Sequence, residues 1–221
     1  MCDMPRDEEI DKEMFNQTFK LLEKTSEYQI LVVRLEPLVK SIISSSEEKE
    51  KLKIPLKSLL TRFEKSGERM RLFMQDSIAD SDSQLGTLRK SFLFLALFET
   101  SVNNLLDCLV FLLIHNGHDF FIQSRGKYAE NLKDLDVSYG VAEKLEFLKL
   151  HGFSFLTQNI NNSLRNKIAH MDFDIEGKGI IIVKSERFDL EKEIIKLESV
   201  VLVTARALAN AGFSNLLKEE S

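Results

Sequence analysis

Arg165, Asn166 and His170 are the residues of this chain whose types and spacing best suit chemistry. A guanidinium grips phosphate oxygens with a planar fork of donors and keeps its charge at physiological pH. Histidine titrates near neutral pH, so it can give or take a proton. In RNA the 2′-hydroxyl beside the scissile phosphate is a built-in nucleophile. Arg165, Asn166 and His170 are therefore suited to phosphate chemistry on RNA that needs no metal.

The stretch around these residues lacks carboxylates. Residues 147–171 contain no Asp or Glu, although the whole chain has a formal net charge of -5. Basic residues and neutral amides lie within this stretch instead. An acidic protein with such a stretch has a local place where an anion is favoured.

The spacing predicts a single helix from Phe153 to His170. Its apolar positions recur every four residues, as in a buried stripe, at Leu156, Ile160, Leu164 and Ile168. With Arg165 at 0°, Asn162, Asn166 and His170 fall at about 60°, 100° and 140° around the axis. The polar face then carries a cation, a titratable ring and amides. The alternative is that Arg165 and His170 only cap a helix end, where cations are favoured.

The string Leu164-Arg165-Asn166-Lys167-Ile168-Ala169-His170 resembles the Arg-Asn-x-x-x-His signature of HEPN domains. These are small all-helical domains, many of them metal-independent ribonucleases of defence and toxin systems, and the resemblance covers about residues 84–217. It implies that Arg165 and His170 are the catalytic pair, with Asn166 as their polar support. It also implies that two chains pair across a two-fold axis and bring two motifs to one cleft. Some members of the family have lost nuclease activity and only bind nucleotides or partners. The alternative function is therefore a non-catalytic binding module.

The most apolar segment runs from Gln84 to His115. Glu99 and Asp107 interrupt it, and charge at bilayer depth is costly, so we predict the central helix of a bundle rather than a membrane span. Glu99 and Asn103 are i, i+4 partners. Their polarity is explained either by an interhelical hydrogen bond or dimer contact, or by a position lining the Arg165/His170 site. We predict three substrate-binding residues, which are Lys167, Asn162 and Glu99.

The whole chain is predicted to be an all-α helical bundle with one short β-hairpin after the motif helix, at about Phe173 to Val183. Asp189 is predicted to cap the last helix. We divide the chain into an N-terminal helical extension, residues 1–83, and a HEPN-like helical domain, residues 84–221. The extension either completes the core as a helical pair or serves as an arm for a partner.

These features predict a metal-independent endoribonuclease in a defence, toxin or stress context, without cofactor. The expected partners are RNA or a nucleotide, a second copy of the chain, and an antitoxin or other protein partner. The acidic balance argues against non-specific DNA binding. Cys2 and Cys108 form no disulfide framework, and we expect a cytoplasmic protein without membrane attachment. The alternatives are a non-catalytic nucleotide- or RNA-binding module and a helical adaptor in which the motif is only a helix end.

Overall fold

A computed structural model describes residues 20–21, 23–45, 47, 49–59, 61–62, 65, 83–135 and 140–216. The predicted all-α class is confirmed, because most of these residues are helical and the β structure is small and antiparallel. The helices are α1 (Ser26–Ile43), α2 (Gln84–Leu97), α3 (Asn103–Ile114), α4 (Leu132–Leu135), α5 (Val141–Leu150), α6 (Ser154–Asn159), α7 (Asn162–Ala169) and α8 (Leu190–Asn210). Residues 49–59 are also helical.

The β-strands and shorter helical segments lie between these helices or follow them. The strands are β1 (Phe121–Ile122), β2 (Lys127–Tyr128), β3 (Asp174–Gly177), β4 (Ile180–Val183) and β5 (Glu186–Asp189). Two 3-10 turns are Gln123–Arg125 and Phe213–Leu216, and a π-helical segment, Phe98–Val102, joins α2 to α3.

The segment Gln84–Ile114 is the central helix of the molecule. Ser83 caps its start, because the Ser83 hydroxyl accepts a hydrogen bond from the Gly86 N–H at 2.9 Å. It ends with His115 as the C-cap, and Gly117 follows with a φ of 83°, which glycine adopts without strain. The segment is long and apolar enough to cross a membrane, but 78% of its most apolar window is buried inside the protein. Such burial is typical of the core helix of a soluble protein.

Helix α1 contributes to the same core as the central helix. Five residues of one α1 face, spaced three or four apart, are buried: Tyr28, Leu31, Leu35, Val39 and Ile42. Helix α8 packs against α1, α2 and the π-helical segment. Asp189 caps α8 as predicted, by accepting hydrogen bonds from the Glu191 and Lys192 N–H groups. Helix α1 therefore helps to complete the core, while the domain boundary at residue 83 stays a prediction.

The predicted helix from Phe153 to His170 is interrupted, so that prediction is wrong. Ile160 has extended backbone, with φ -103° and ψ 106°, and separates α6 from α7. Asn161 begins the second helix as its N-cap, since its side-chain oxygen accepts the Leu164 N–H at 3.0 Å. A short polar side chain that bonds nearby backbone competes with helix continuation. The four residues of the predicted apolar stripe are nevertheless all buried: Leu156, Ile160, Leu164 and Ile168.

The predicted hairpin is extended by a further strand. β3, β4 and β5 form a three-stranded antiparallel sheet, and β1 pairs with β2 separately. The sequence of β5, Glu-Arg-Phe-Asp, has no β-branched residue and only Phe188 favours a strand, so its own composition gives a weak strand signal. The turn between β3 and β4 is fixed to α2, because the Thr87 hydroxyl accepts the Gly179 N–H at 3.0 Å. The three-stranded sheet therefore follows the motif helix in the chain and is attached to α2.

Candidate functional site

Helix α7 carries Arg165, Asn166 and His170 and is fixed to the central helix. Its apolar residues Leu164 and Ile168 are buried, and α7 packs against α2. The helix ends at His170, whose N–H donates to the Asn166 carbonyl at 3.1 Å. Met171 follows with a φ of 55° and turns the chain towards β3. The motif therefore occupies the last two turns of a short, anchored helix.

Arg165 is held by the central helix, and its side chain is only 13% exposed. Its Nε donates to Oε1 of Glu99 at 2.5 Å, and its Nη2 pairs with the same oxygen. Its Nη1 donates to Oδ1 of Asn166 at 2.8 Å. The guanidinium also lies 5.8 Å from the centre of the Phe98 ring, within range of a cation–π contact. Three of its five N–H donors have partners among the described residues, which leaves two for a ligand.

Glu99 and Asn103 lie in and directly after the π-helical segment. Asn103 donates from Nδ2 to Oε2 of Glu99 at 3.0 Å, so the second carboxylate oxygen of Glu99 is occupied too. The Oδ1 atom of Asn103 is buried without a hydrogen-bond partner in the described part of the chain. Single π-helical turns inside α-helices are frequent at functional sites. Glu99 thus both makes the local hydrogen bond expected of an i, i+4 pair and contacts Arg165.

His170 lies at the exposed end of α7. Helical geometry places it about 140° around the axis and about 7.5 Å along it from Arg165. Beside it, Asp172 pairs with Lys167, and this hydrogen bond is the largest cause that lowers the pKa of the Asp172 carboxyl. The charges of Lys184 and His170 lower that pKa further. The end of α7 therefore places an imidazole beside a carboxyl whose pKa is lowered.

The predicted substrate-binding residues lie in three different surroundings. Glu99 contacts Arg165, as described above, and Lys167 is paired with Asp172. Asn162 is the first residue of α7 and lines a separate cavity of about 520 Å³ together with residues of α5 and α6. The structure therefore brings Arg165, Asn166 and Glu99 together, whereas Asn162 lies at the opposite end of α7 from His170.

Two residues of the site were missed by the sequence reasoning. Phe98 precedes Glu99 in an apolar run and gave no signal of its own, because its contact with Arg165 spans distant parts of the chain. Asp172 follows the motif directly, so an acidic residue two positions after His170 could have been noted as its electrostatic neighbour. In the described part of the chain, no group of three His, Cys, Asp or Glu side chains is arranged to hold a metal ion.

Comparisons of the chain with models of protein families, with curated proteins and with solved structures give no match.

Proposed function

We propose that this protein is a metal-independent endoribonuclease of the HEPN type. The observation that carries the proposal is the arrangement of the Arg-Asn-x-x-x-His motif on α7. Arg165 is positioned by Glu99 and Asn166 with two donors left over, and His170 is exposed at the helix end. A positioned cation and an accessible proton carrier are the groups that cleavage of RNA without metal requires.

In the proposed reaction the 2′-hydroxyl attacks the adjacent phosphorus. The bond from O2′ to phosphorus forms, the bond from phosphorus to O5′ breaks, and the products are a 2′,3′-cyclic phosphate and a 5′-hydroxyl. A base takes the proton of the 2′-hydroxyl and an acid gives one to O5′. His170 serves as the base or the acid, the two remaining donors of Arg165 hold the phosphate oxygens, and Asn166 orients Arg165.

The proposal is tested by incubating the purified protein with end-labelled RNA in the presence of a chelator. Cleavage to cyclic phosphate ends, with DNA of the same sequence left intact, is the expected result, since DNA lacks the nucleophile. Cleavage that appears only when a divalent metal is added would contradict the mechanism.

A second copy of the chain supplies the other proton carrier in this mechanism. One exposed face of α2 carries Leu85 and Phe92, which are 53% and 44% exposed and seven residues apart, and the same face leads towards Glu99. An apolar surface beside the site suits a two-fold interface that joins two motifs in one cleft. The proposed assembly is therefore a homodimer.

Phe92→Glu is expected to convert this dimer to a monomer and to abolish most cleavage, because two charges would be brought into the apolar interface. Light scattering over a range of micromolar concentrations measures the mass. Ile54→Glu is the matched control, since Ile54 is 79% exposed on a different helix. A wild-type chain that is monomeric at every concentration and still cleaves RNA would rule out the composite cleft.

Glu99→Gln is expected to tighten RNA binding on the order of tenfold while lowering the cleavage rate. The carboxylate repels phosphate by about 1–2 kcal/mol at roughly 10 Å and an effective dielectric constant of about 20. Removal of the Glu99 charge also weakens the contacts that position the Arg165 guanidinium, so the cation is less well oriented towards the scissile phosphate. Fluorescence anisotropy with 2′-O-methyl RNA measures binding without cleavage. Glu36→Gln, which breaks the exposed pair of Glu36 with Lys40, is the control, and equal affinities for both variants would contradict this role of Glu99.

The ion pair between Glu99 and Arg165 also supports the second candidate function, a non-catalytic module that binds RNA, a nucleotide or a protein partner. The pair engages much of the guanidinium and offsets its charge. A site of this kind would bind phosphate weakly and reversibly. The proposed setting for either function is the cytoplasm, in a defence, toxin or stress response with an antitoxin or other protein partner.

A further inference from the structure

A cavity of about 850 Å³ lies between α1 and the end of α5, and its lining residues differ from those of the proposed catalytic site. Four of its lining residues are cationic or can become so, namely Arg34, His118, Lys149 and His151. Among the residues that the structure describes, no Asp or Glu lines it. In a chain with a net charge of -5, a cavity whose described ionisable lining residues are all basic favours an anion.

Arg34 contributes a charge that no described residue neutralises through a hydrogen bond or ion pair. Its guanidinium lies over the backbone of Gly152, where a Cβ would be 2.8 Å from the Arg34 Cζ. Gly152 has a φ of +87°, so glycine is suited to this turn both by its conformation and by the close approach of Arg34. Arg34 is thus brought beside His151, the residue that precedes Gly152.

The two histidines form one edge-to-face pair on the cavity wall. The ring centres of His118 and His151 are 4.5 Å apart. Nδ1 of His151 is 2.7 Å from the Phe147 carbonyl oxygen and donates to it. This hydrogen bond orients the His151 ring. Lys149 adds a fourth group; its Nζ lies 3.8 Å from Oε2 of Glu146 in a long ion pair, and more than half of each side chain is exposed.

The rest of the cavity surface is largely apolar and open. Ile30, Val33 and Leu150 line it and are 55%, 68% and 75% exposed. Pockets of about 300–1,000 Å³ that combine apolar walls with a few polar groups are typical of small-molecule sites. A second copy of the same surface does not suit the cavity, because it would place cations against cations.

From these features we propose that the cavity binds an amphiphilic organic anion. Its carboxylate or phosphate head lies among Arg34, Lys149 and the two histidines, and its short apolar body lies against Ile30, Val33 and Leu150. The guanidinium provides paired donors to the head, and burial of the exposed apolar side chains stabilises the body. This site is independent of the proposed nuclease.

The test uses the full chain and the fluorescent amphiphilic anion 1-anilinonaphthalene-8-sulfonate as the probe. We expect saturable binding that is weakened about tenfold or more in Arg34→Glu, because charge reversal replaces attraction with repulsion. Leu150→Ser should also weaken binding, and its exposed position keeps the fold intact. Lys57→Glu is the control, since Lys57 is an exposed lysine outside the cavity and the change in net charge is the same.

Competition identifies the head group that the cavity accepts. Decanoate and decyl phosphate carry the same tail with different heads, and displacement of the probe by one or both assigns the carboxylate, the phosphate or either. Decyltrimethylammonium has the same tail with a positive head and should not compete. Absence of probe binding, equal binding by Arg34→Glu and wild type, or equal competition by the cationic compound would each overturn the proposal.

Discussion

Replacement of His170 by alanine is expected to slow RNA cleavage by about 10²–10⁴-fold, the usual contribution of a positioned proton carrier. The side chain is exposed at the end of α7, so its removal should not disturb the fold. Single-turnover rates with end-labelled RNA measure the effect, and circular dichroism checks the helices. His115→Gln, a change of the same residue type at the end of α3, is the control and should retain the wild-type rate.

Arg165→Ala is expected to cause a comparable loss, because the developing phosphorane charge loses its preorganised cation. Arg165→Lys should restore little of the cleavage rate, since an ammonium lacks the planar set of N–H donors of a guanidinium. The Arg165 side chain is mostly buried, and its loss leaves Glu99 without its ion pair. The double variant Arg165→Ala/Glu99→Ala separates the effect on stability from the effect on catalysis. It should be more stable than Arg165→Ala, because no carboxylate is left without its ion pair, and it should still fail to cleave RNA. Arg187→Ala, at an exposed ion pair of β5, serves as the control.

Two outcomes would favour the non-catalytic binding module over the ribonuclease. Wild-type protein that binds RNA with no cleavage under any condition, or a His170→Ala variant that cleaves at the wild-type rate, would contradict the catalytic role. The motif would then be a binding site, and the Arg165 variants should still lower RNA affinity.

Lys144→Met is expected to lower the free energy of unfolding by about 3–5 kcal/mol, the usual effect of breaking a buried ion pair. Lys144 on α5 pairs with Asp107 on α3 at 2.5 Å, and their side chains are 3% and 6% exposed. Lys144 also donates to the Leu135 carbonyl at 2.9 Å, which ties α4 to the same pair. The substitution removes the ammonium that pairs with the Asp107 carboxylate, which stays buried. Urea denaturation, followed by circular dichroism, measures the change.

The double variant Asp107→Leu/Lys144→Met tests whether the loss of stability comes from the buried Asp107 charge that has lost Lys144. Apolar residues of similar size often replace a buried pair without loss of stability, so the double variant should unfold close to wild type. Lys40→Met removes one partner of the exposed pair with Glu36 and should change stability by about 0–1 kcal/mol. A Lys144→Met variant as stable as Lys40→Met would show that the pair is not important for the fold.

The helical class, the central apolar helix and the apolar stripe of residues 156, 160, 164 and 168 could be predicted from the sequence. These features depend on the periodicity of apolar and polar residues along the chain, which sets the helix face that leaves water. The Asp189 cap could be predicted for the same reason, since a cap bonds backbone groups two or three residues away. The positions of Arg165, Asn166 and His170 along one helix also follow from the sequence alone.

The residues that surround Arg165, Asn166 and His170 depend on the tertiary structure. The pair between Glu99 and Arg165 joins residues 66 apart in the chain, and the pair between Asp107 and Lys144 joins residues 37 apart. Neither partner can be assigned from spacing, because each depends on how α2, α3, α5 and α7 pack. The break at Ile160 and Asn161 and the strand β5 likewise come from competition between local hydrogen bonds and neighbouring elements. Tertiary packing determines these two features because the local free energies of helix, turn and strand differ little there. The apolar stripe differs, because only burial in the core is favourable for its side chains.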